Sequence, residues 1–236
     1  MKYALAFAAL LLAGIAGRAD EPKPLLNVPY GTHPRQVLDF YPAKSDKPTP
    51  VVFYIHGGGW QNGDKKKIGA TGGSAGGCSS LWLAFHDDMA DPNSKDPVAR
   101  ESTRLYCAAV DGAQTSLDPQ ELREWMPNYG YGAHAFGLPN FQSLIDNREK
   151  VLKWIKEYSP IEHVSKDDPP IGLFYGGDKD AKVGDSPKDP THSPILGIKL
   201  EERLKAAGVD VVLVYPGRPN EKYKTSKDYL IDRLLK

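Results

Sequence analysis

Apolar residues follow two spacings that alternate along the chain. Short continuous runs rich in β-branched and aromatic residues are typical of strands buried on both faces of a sheet. Segments with apolar residues three and four positions apart predict amphipathic helices. The predicted strands are 51–55, 68–71, 105–110, 171–175 and 209–215, and the predicted helices are 75–86, 119–126, 148–158, 193–207 and 227–235. This alternation predicts an α/β fold with a mainly parallel sheet and helices on both faces.

An additional strand is predicted near the start. Residues 36–41 alternate between polar and apolar side chains, as in a half-buried strand. A turn-rich linker joins them to the run at 51–55, so we expect these two strands to pair antiparallel.

The last of the early apolar runs leads into a glycine-rich turn. Ser74 is flanked two residues away by Gly72 and Gly76, and a predicted helix follows. This spacing is typical of a sharp strand-to-helix turn that leaves the serine hydroxyl exposed. The first N–H groups of the helix can stabilise a developing negative charge there. Ser74 is therefore the candidate nucleophile.

A second glycine-rich stretch follows the strand at 51–55, in the sequence His56-Gly57-Gly58-Gly59-Trp60. Glycines there let backbone N–H groups point inward without obstruction by side chains. Such donors, together with the N–H of the residue after the nucleophile, form an oxyanion hole. The predicted donors are Gly58, Gly59 and Ala75.

With these two motifs the chain resembles the α/β-hydrolase carboxylesterases of the hormone-sensitive-lipase-like and feruloyl or acetyl esterase type. The segments 28–31, 38–42, 111–115 and 159–170 resemble the same family. The resemblance implies an α/β-hydrolase-like fold over residues 20–236 and a serine esterase without a cofactor. It also implies a small-molecule or polysaccharide-linked ester as substrate, and a place near the active-site mouth for residues 127–147.

The middle of the chain is shorter than this resemblance implies. Ordinary element lengths would place a helix, a strand and another helix, roughly 40–60 residues, between Lys67 and Ile68. Only residues 57–67 join the two strands there, and a parallel crossover needs about a dozen residues or more. We therefore expect a missing edge strand, exposed apolar sheet surface and reduced stability.

The histidine of the expected triad is also missing from its usual position. In this family the order is serine, acid, histidine, with the histidine after the last strand. Tyr223 lies in that region instead, and a phenol with an ordinary pKa of about 10 is a poor base near neutral pH. Among the other histidines, His192 is the best candidate, because it follows the strand at 171–175 on the side where strand ends gather.

The predicted acid is Asp180, just past the same strand, where the resemblance places the triad carboxylate. Asp178 is the near alternative, and Asp189 and Asp111 are weaker ones. Ser74, Asp180 and His192 are the predicted catalytic residues.

Composition restricts the remaining choices. The net charge is zero, which gives no electrostatic case for nucleic acid or an anionic membrane as partner. Residues 1–19 have the short basic start, apolar stretch and small residues of a signal peptide, so we expect a secreted or periplasmic protein with no membrane segment after cleavage. Cys78 and Cys107 are expected to be buried small hydrophobic residues, and no spacing suggests a metal site.

Two functions of different classes follow. The first is a secreted carboxylic-ester hydrolase acting through Ser74. The second is a catalytically silent hydrolase-fold protein that binds ligands, or a deletion product lacking the triad histidine. An imidazole within hydrogen-bonding distance of the Ser74 hydroxyl distinguishes them.

Overall fold

The computed structural model describes residues 23–29, 37–42, 51–54, 68–96 and 98–235. These residues fall into two compact units, one within Met1–Thr49 and one within Pro50–Lys236. The predicted signal peptide lies outside the described residues and stays a prediction. No helix in the described ranges is long and apolar enough to cross a membrane.

The first unit contains a two-stranded antiparallel sheet. Strand β1 (Leu25–Pro29) pairs with β2 (Val37–Phe40). The prediction that the second of these strands pairs antiparallel with the run at 51–55 is therefore wrong. The alternation at 36–41 correctly indicated a strand, but the upstream segment 25–29 offers a nearer antiparallel partner across a short connection.

The second unit is built on a five-stranded sheet in the order β3-β4-β5-β6-β7. All four strand pairings are parallel, which confirms the predicted sheet. The strands are β3 (Val51–Tyr54), β4 (Ile68–Gly73), β5 (Cys107–Asp111), β6 (Ile171–Phe174) and β7 (Val211–Val214). Because the strands are parallel, their carboxyl ends share one edge, where Ser74, Gly112 and Tyr175 follow β4, β5 and β6.

Six α-helices accompany the sheet in the part of the chain that the structure describes. They are α1 (Ala75–Phe85), α2 (Pro119–Trp125), α3 (Phe141–Asp146), α4 (Arg148–Tyr158), α5 (Pro194–Ala207) and α6 (Ser226–Leu234). Local sequence fixes several ends. The Ser193 hydroxyl accepts from the N–H of Ile195 at the start of α5, and Gly208 ends that helix in the left-handed region with φ 82°. The five predicted helices are confirmed to within a residue or two.

The sheet is buried on both faces, as continuous apolar strands require. Along β5, Ala108 and Val110 belong to the larger core with α1, α2 and α5. The alternate residues Cys107 and Ala109 belong to a smaller core with α6. Helices therefore cover both faces of the sheet, as predicted.

The short connection in the middle of the chain leaves β3 directly beside β4, with Val51 opposite Ile68 and Tyr54 opposite Thr71. Within the described residues β3 is an edge strand. The connection itself and the side chains of β3 lie outside the described residues, so the predicted exposed sheet surface stays a prediction.

Both cysteines are free thiols, as the sequence indicated. Burial raises the pKa of Cys78 to about 12 and that of Cys107 to about 11. Both thiols are therefore protonated, and hence weak nucleophiles, at neutral pH.

A partly buried ion pair joins the starts of α2 and α4. Asp118 caps α2 by accepting from the N–H of Gln120, and the Arg148 guanidinium donates to both of its carboxylate oxygens. Burial acts to raise the pKa of Asp118, but the hydrogen bonds from Arg148 and Gln120 outweigh it and leave this pKa below its ordinary value. The pair therefore stabilises the fold fully above the ordinary carboxyl pKa of 3.8, and the contribution is lost as pH falls through the lower pKa of the folded state.

We expect Asp118→Ala to lower the free energy of unfolding at pH 7 by about 2–4 kcal/mol, because it leaves Arg148 unpaired and removes a helix cap. The difference from wild type should shrink as pH falls below 3.8, as urea unfolding at several pH values would measure. Asp146→Asn, at an exposed position, is the matched control. A difference for Asp118→Ala that is constant with pH would contradict the assignment.

Candidate active site

Ser74 occupies a strained turn between β4 and α1. Its backbone has φ 52° and ψ −122°, a positive φ that non-glycine residues seldom adopt. Its N–H donates to the Asp111 carbonyl at 2.9 Å, which ties the turn to the end of β5. Gly77 makes the close helix–strand approach possible, because a Cβ there would lie 2.8 Å from Cβ of Ala113. The sharp turn that the Gly72–Ser74–Gly76 spacing predicts is therefore present.

His192 lies directly against the Ser74 side chain. The distance between Ser74 Oγ and His192 Nε2 is 2.9 Å, although the two residues are 118 positions apart in sequence. The structure therefore brings together two of the three predicted catalytic side chains.

The carboxylate that faces His192 belongs to Asp189, not to the predicted Asp180. His192 Nδ1 is 2.8 Å from Asp189 Oδ2. Asp180 and its near alternative Asp178 are exposed, and neither has a hydrogen bond to an imidazole among the described residues. Asp111 accepts from the Ser226 hydroxyl instead. Asp180 was predicted from its position just past β6. The number of residues after a strand does not determine which residue of a long loop lies beside the serine, so the structure places Asp189 there instead.

These contacts determine the protonation pattern of the site. A carboxylate only accepts hydrogen bonds, so His192 Nδ1 carries the hydrogen, and Nε2 of the neutral ring then accepts from the Ser74 hydroxyl. The hydrogen bond from His192 is the main reason why the pKa of Asp189 lies below its ordinary value. Asp189 therefore remains ionised throughout the neutral range.

A short 3₁₀ turn (Pro190–His192) holds the acid and the base together. Asp189 caps this turn by accepting from the N–H of Thr191, and Pro190 occupies its first position. The three-residue spacing places the carboxylate and the imidazole on the same side of the turn. The sequence Asp-Pro-x-His carried this local signal, which a prediction based only on distance from the strand missed.

Gly112, directly after β5, lies next to the His192 side chain. It has φ +54°, and a Cβ there would be 3.4 Å from Cβ and 3.5 Å from Cδ2 of His192. A Cβ at this position would make ordinary van der Waals contact with His192, but the positive φ would strain the backbone of any other residue. Gly112 belongs to the Asp111–Thr115 segment that resembles the esterase family, but its contact with His192 was not predictable from that resemblance.

The Gln114 side chain fixes the turn from the other side. It is 4% exposed, and its Nε2 donates to the Thr191 carbonyl at 2.9 Å. The segment around Gln114 is itself anchored, because the Tyr175 hydroxyl donates to the Ala113 carbonyl and the Thr115 hydroxyl donates to the Leu196 carbonyl. The turn that carries His192 is thus tied to the end of the sheet.

We expect Gln114→Met to lower kcat of the predicted ester hydrolysis roughly tenfold. Removing the donor frees the Thr191 carbonyl and loosens the turn that carries His192. The predicted reaction of Ser74 with a fluorophosphonate should slow in parallel, since on that prediction it depends on the same imidazole. Thr115→Val is the matched control, because it also removes a buried hydrogen bond to a carbonyl but one that ends on α5. Equal effects of both variants on the labelling rate would contradict a positioning role for Gln114.

A cavity of about 250 Å³ includes Ala75, the residue after Ser74, in its wall, whereas Ser74 and His192 themselves do not line it. Ala75, Cys78 and Gln114 form its wall next to Ser74, and α1 and α4 contribute Trp82 and Tyr158. The loop after α2 contributes an aromatic part of the wall, with Tyr129, Tyr131, His134 and Phe136. Within the stretch 127–147, residues between Tyr129 and Phe136 line this cavity, and the expectation that the whole stretch lies near the mouth of the site stays a prediction.

Of the predicted oxyanion donors, only Ala75 lies within the described residues. It is the first residue of α1, so its N–H has no acceptor within the helix and lies next to Ser74. Gly58 and Gly59 lie outside the described residues and stay predictions. Tyr223 is buried in the smaller core, where its hydroxyl donates to Asp232.

The hydroxyl of Ser74, the imidazole of His192 and the carboxylate of Asp189 are groups that can accept or donate protons. Among the described residues, no group of three or more His, Cys, Asp and Glu side chains is arranged to hold a metal ion.

Solved structures provide the first comparison. A truncated carbohydrate esterase from gut microbiota is 13% identical, with 92% of this chain and 98% of that chain covered and a TM-score of 0.59. A bifunctional GH43-CE protein from Bacteroides eggerthii is 15% identical, with 89% and 38% covered and a TM-score of 0.58. At these identities the likeness establishes the fold alone, an α/β-hydrolase fold.

The family follows from the sequence itself. A family model described as BD-FAE matches residues 61–188, more than half of the chain. The chain therefore belongs to this family of α/β-hydrolase esterases. No curated protein matches it significantly.

The chain is shorter than some of its structural relatives. An acetyl ester-xyloside bifunctional hydrolase from Caldicellulosiruptor lactoaceticus is 22% identical, with 65% of this chain covered and a TM-score of 0.43. The chain spans 46% of the length of that protein.

Proposed function

We propose that this protein hydrolyses carboxylic esters, with Ser74 as nucleophile, His192 as general base and Asp189 as the carboxylate that orients and stabilises the imidazole. The observation that carries the proposal is the continuous chain of contacts from Ser74 Oγ to His192 Nε2, at 2.9 Å, and from His192 Nδ1 to Asp189 Oδ2, at 2.8 Å. This is the arrangement that activates a serine hydroxyl in esterases.

In the first half of the reaction, Ser74 Oγ attacks the carbonyl carbon of the ester while His192 Nε2 takes the hydroxyl proton. The resulting oxyanion accepts a hydrogen bond from the Ala75 N–H, and Gly58 and Gly59 are the further predicted donors. His192 then gives its proton to the departing alcohol oxygen, and the acyl group remains on Ser74.

In the second half, water attacks the acyl carbon and gives a proton to His192. The bond to Ser74 Oγ breaks, the carboxylic acid leaves, and the serine recovers its proton. Asp189, whose pKa is held low mainly by the hydrogen bond with His192, stays ionised and stabilises the imidazolium in both halves. Neither half requires a cofactor.

The alternative of a catalytically silent binding protein was motivated by the missing histidine after the last strand. The contact between His192 and Ser74 argues against it, because an imidazole reaches the serine by another route.

For the substrate we propose only a chemical class, and for the location only a compartment. A short acyl or aryl ester, free or linked to a carbohydrate, fits the cavity that Ala75 lines, and the carbohydrate esterase among the structural relatives supports this class. The signal-peptide pattern of residues 1–19 supports a secreted or periplasmic protein.

Covalent labelling tests the proposal. We expect a fluorophosphonate to label the folded protein on Ser74, because only an activated hydroxyl reacts readily. Ser74→Ala should abolish labelling, and Ser79→Ala, on the helix that follows Ser74, should leave it unchanged. Absence of labelling in a folded wild-type sample would overturn the proposal in favour of the silent protein.

A further inference from the structure

The proposed acid and base lie in a long, exposed connection between β6 and α5. Residues 176–192 contain no strand and no α-helix, and Pro187 is the single buried residue among them. The side chains of Asp189 and His192 are 60% and 42% exposed. A displacement of a catalytic base by about 1 Å can lower the rate roughly a hundredfold. The position of His192 therefore depends on contacts that hold this loop from outside.

Two side-chain hydrogen bonds hold the loop at the turn that carries the acid and the base. Gln114 donates to the Thr191 carbonyl inside the turn. The Asn128 side chain donates through Nδ2 to the Pro187 carbonyl at 2.7 Å, two residues before Asp189. The carbonyl that accepts from Asn128 thus belongs to the buried residue of the loop. The two donors together fix the turn and the backbone that leads into it.

Asn128 belongs to a firmly held turn after α2, although Asn128 itself is exposed. The Tyr129 N–H donates to the Met126 carbonyl at 2.9 Å, and both of these residues are buried. The Arg123 guanidinium donates to the Pro127 carbonyl at 2.6 Å. The donor amide therefore starts from a rigid support. Because Asn128 is exposed, its side chain can be replaced without opening the core.

A second contact docks the same loop on the end of α2. The Gly184 N–H donates to the Trp125 carbonyl at 2.7 Å. Gly184 lies in a tight turn that is closed by the hydrogen bond from the Asp185 N–H to the Lys182 carbonyl. A loop held at Gly184 and again at Pro187 has little freedom between these two points. Of the two contacts, that of Pro187 is nearer to the acid and the base and so restrains them more.

We propose that Asn128 is a positioning residue, which keeps Asp189 and His192 in line with Ser74 by holding the Pro187 carbonyl. This role rests on the proposed esterase function for its effect on the rate, whereas the hold of Asn128 on the loop can be measured without a substrate. Asn128 acts through the backbone of the loop and takes no part in the proton transfers.

The kinetic test removes the donor and then restores it. Asn128→Leu keeps the approximate shape of the side chain but cannot donate. We expect it to lower kcat for p-nitrophenyl acetate, and the rate at which a fluorophosphonate labels Ser74, by about three- to tenfold, the factor that one ordinary hydrogen bond is worth. KM should change little, because the variant leaves the binding surface intact. Asn128→Gln, which keeps an amide donor, should recover part of both rates.

Asn147→Leu is the matched control for Asn128→Leu. It also removes a hydrogen bond from an asparagine amide to a backbone carbonyl, that of Ser143, but this bond lies at the end of α3. Both rates should stay at the wild-type value in this variant. An equal slowing in Asn147→Leu would show a general loss of stability and overturn the positioning role.

The second test uses trypsin and needs no substrate. Lys188 is exposed and lies between Pro187 and Asp189, so cleavage after it reports local opening of the loop. Asn128→Leu should speed this cleavage by about three- to tenfold, since cleavage follows the population of the open form. Cleavage after Lys179, which precedes the held part of the loop, should be unchanged.

The two tests separate the positioning role from the esterase proposal. Labelling of Asn128→Leu at the wild-type rate, or unchanged cleavage after Lys188, would overturn the positioning role. If the wild type neither hydrolyses the ester nor takes the label, while Asn128→Leu is still cut faster after Lys188, the esterase proposal fails and the hold of Asn128 on the loop stands.

Discussion

His192→Ala is expected to lower kcat/KM for a simple ester by roughly 10⁴- to 10⁶-fold, the range found when the base of a serine triad is removed. His192 Nε2 lies 2.9 Å from Ser74 Oγ, and among the described residues no other imidazole has a hydrogen bond to that hydroxyl. Without it, Ser74 has no group to take its proton or to give one to the departing alcohol. Hydrolysis assays and the rate of fluorophosphonate labelling should fall together.

Two controls make this result specific to His192. His86→Ala changes a histidine at the opposite end of α1 and should leave activity within about twofold of wild type, as is usual for substitutions away from a site. Added imidazole should restore part of the activity of His192→Ala, because the native side chain is 42% exposed and a free imidazole can enter its place. If His192→Ala labels at the wild-type rate, the general base is another group.

Asp189→Asn is expected to lower kcat by about 10³- to 10⁴-fold, as the equivalent change does in serine proteases. The amide can donate to His192 Nδ1, which would move the ring hydrogen to Nε2 and leave no acceptor for the Ser74 hydroxyl. The hydrogen bond to His192 keeps Asp189 ionised well below neutral pH, and raising the pH cannot ionise the amide that replaces it. The loss should therefore persist at every pH of the assay.

Asp180→Asn is the matched control, since it makes the same chemical change in the same loop at the position favoured by sequence reasoning. Its activity should remain within about twofold of wild type because Asp180 is exposed and does not contact His192. A larger loss for Asp180→Asn than for Asp189→Asn would show that the loop adopts another arrangement when substrate is bound.

Local patterns predicted most of the fold. Continuous apolar runs identified the strands of the large sheet, and apolar residues three and four positions apart identified the helices, such as α2 and α5. The turn at Ser74 was predictable because its glycine spacing is a local property of the chain. The partner of β2 was not, because the alternation of residues 36–41 indicates a strand but does not specify which segment pairs with it.

The candidate site was predictable only in part, because it depends on contacts between distant segments. His192 was found by elimination among the histidines. Distance from β6 along the sequence favours Asp180 over Asp189, whereas the cap of a short turn determines which carboxylate meets His192. The Gln114 side chain donates to the Thr191 carbonyl, 77 residues further along the chain, and no sequence pattern in either segment predicts that hydrogen bond.

The acid and the base of the site lie on the same short turn, and this determines how they can be gained or lost. Asp189 and His192 lie on one turn between β6 and α5. A single protease cut or a local opening of that turn would therefore displace both the acid and the base from Ser74. The segment after β7 carries neither group and is released from catalytic constraint. Changes at 216–222 should therefore act through stability, as at Arg218, which donates to the buried Glu201 carboxylate, and not through the acid or the base. The turn at 189–192 should be kept or lost as one unit.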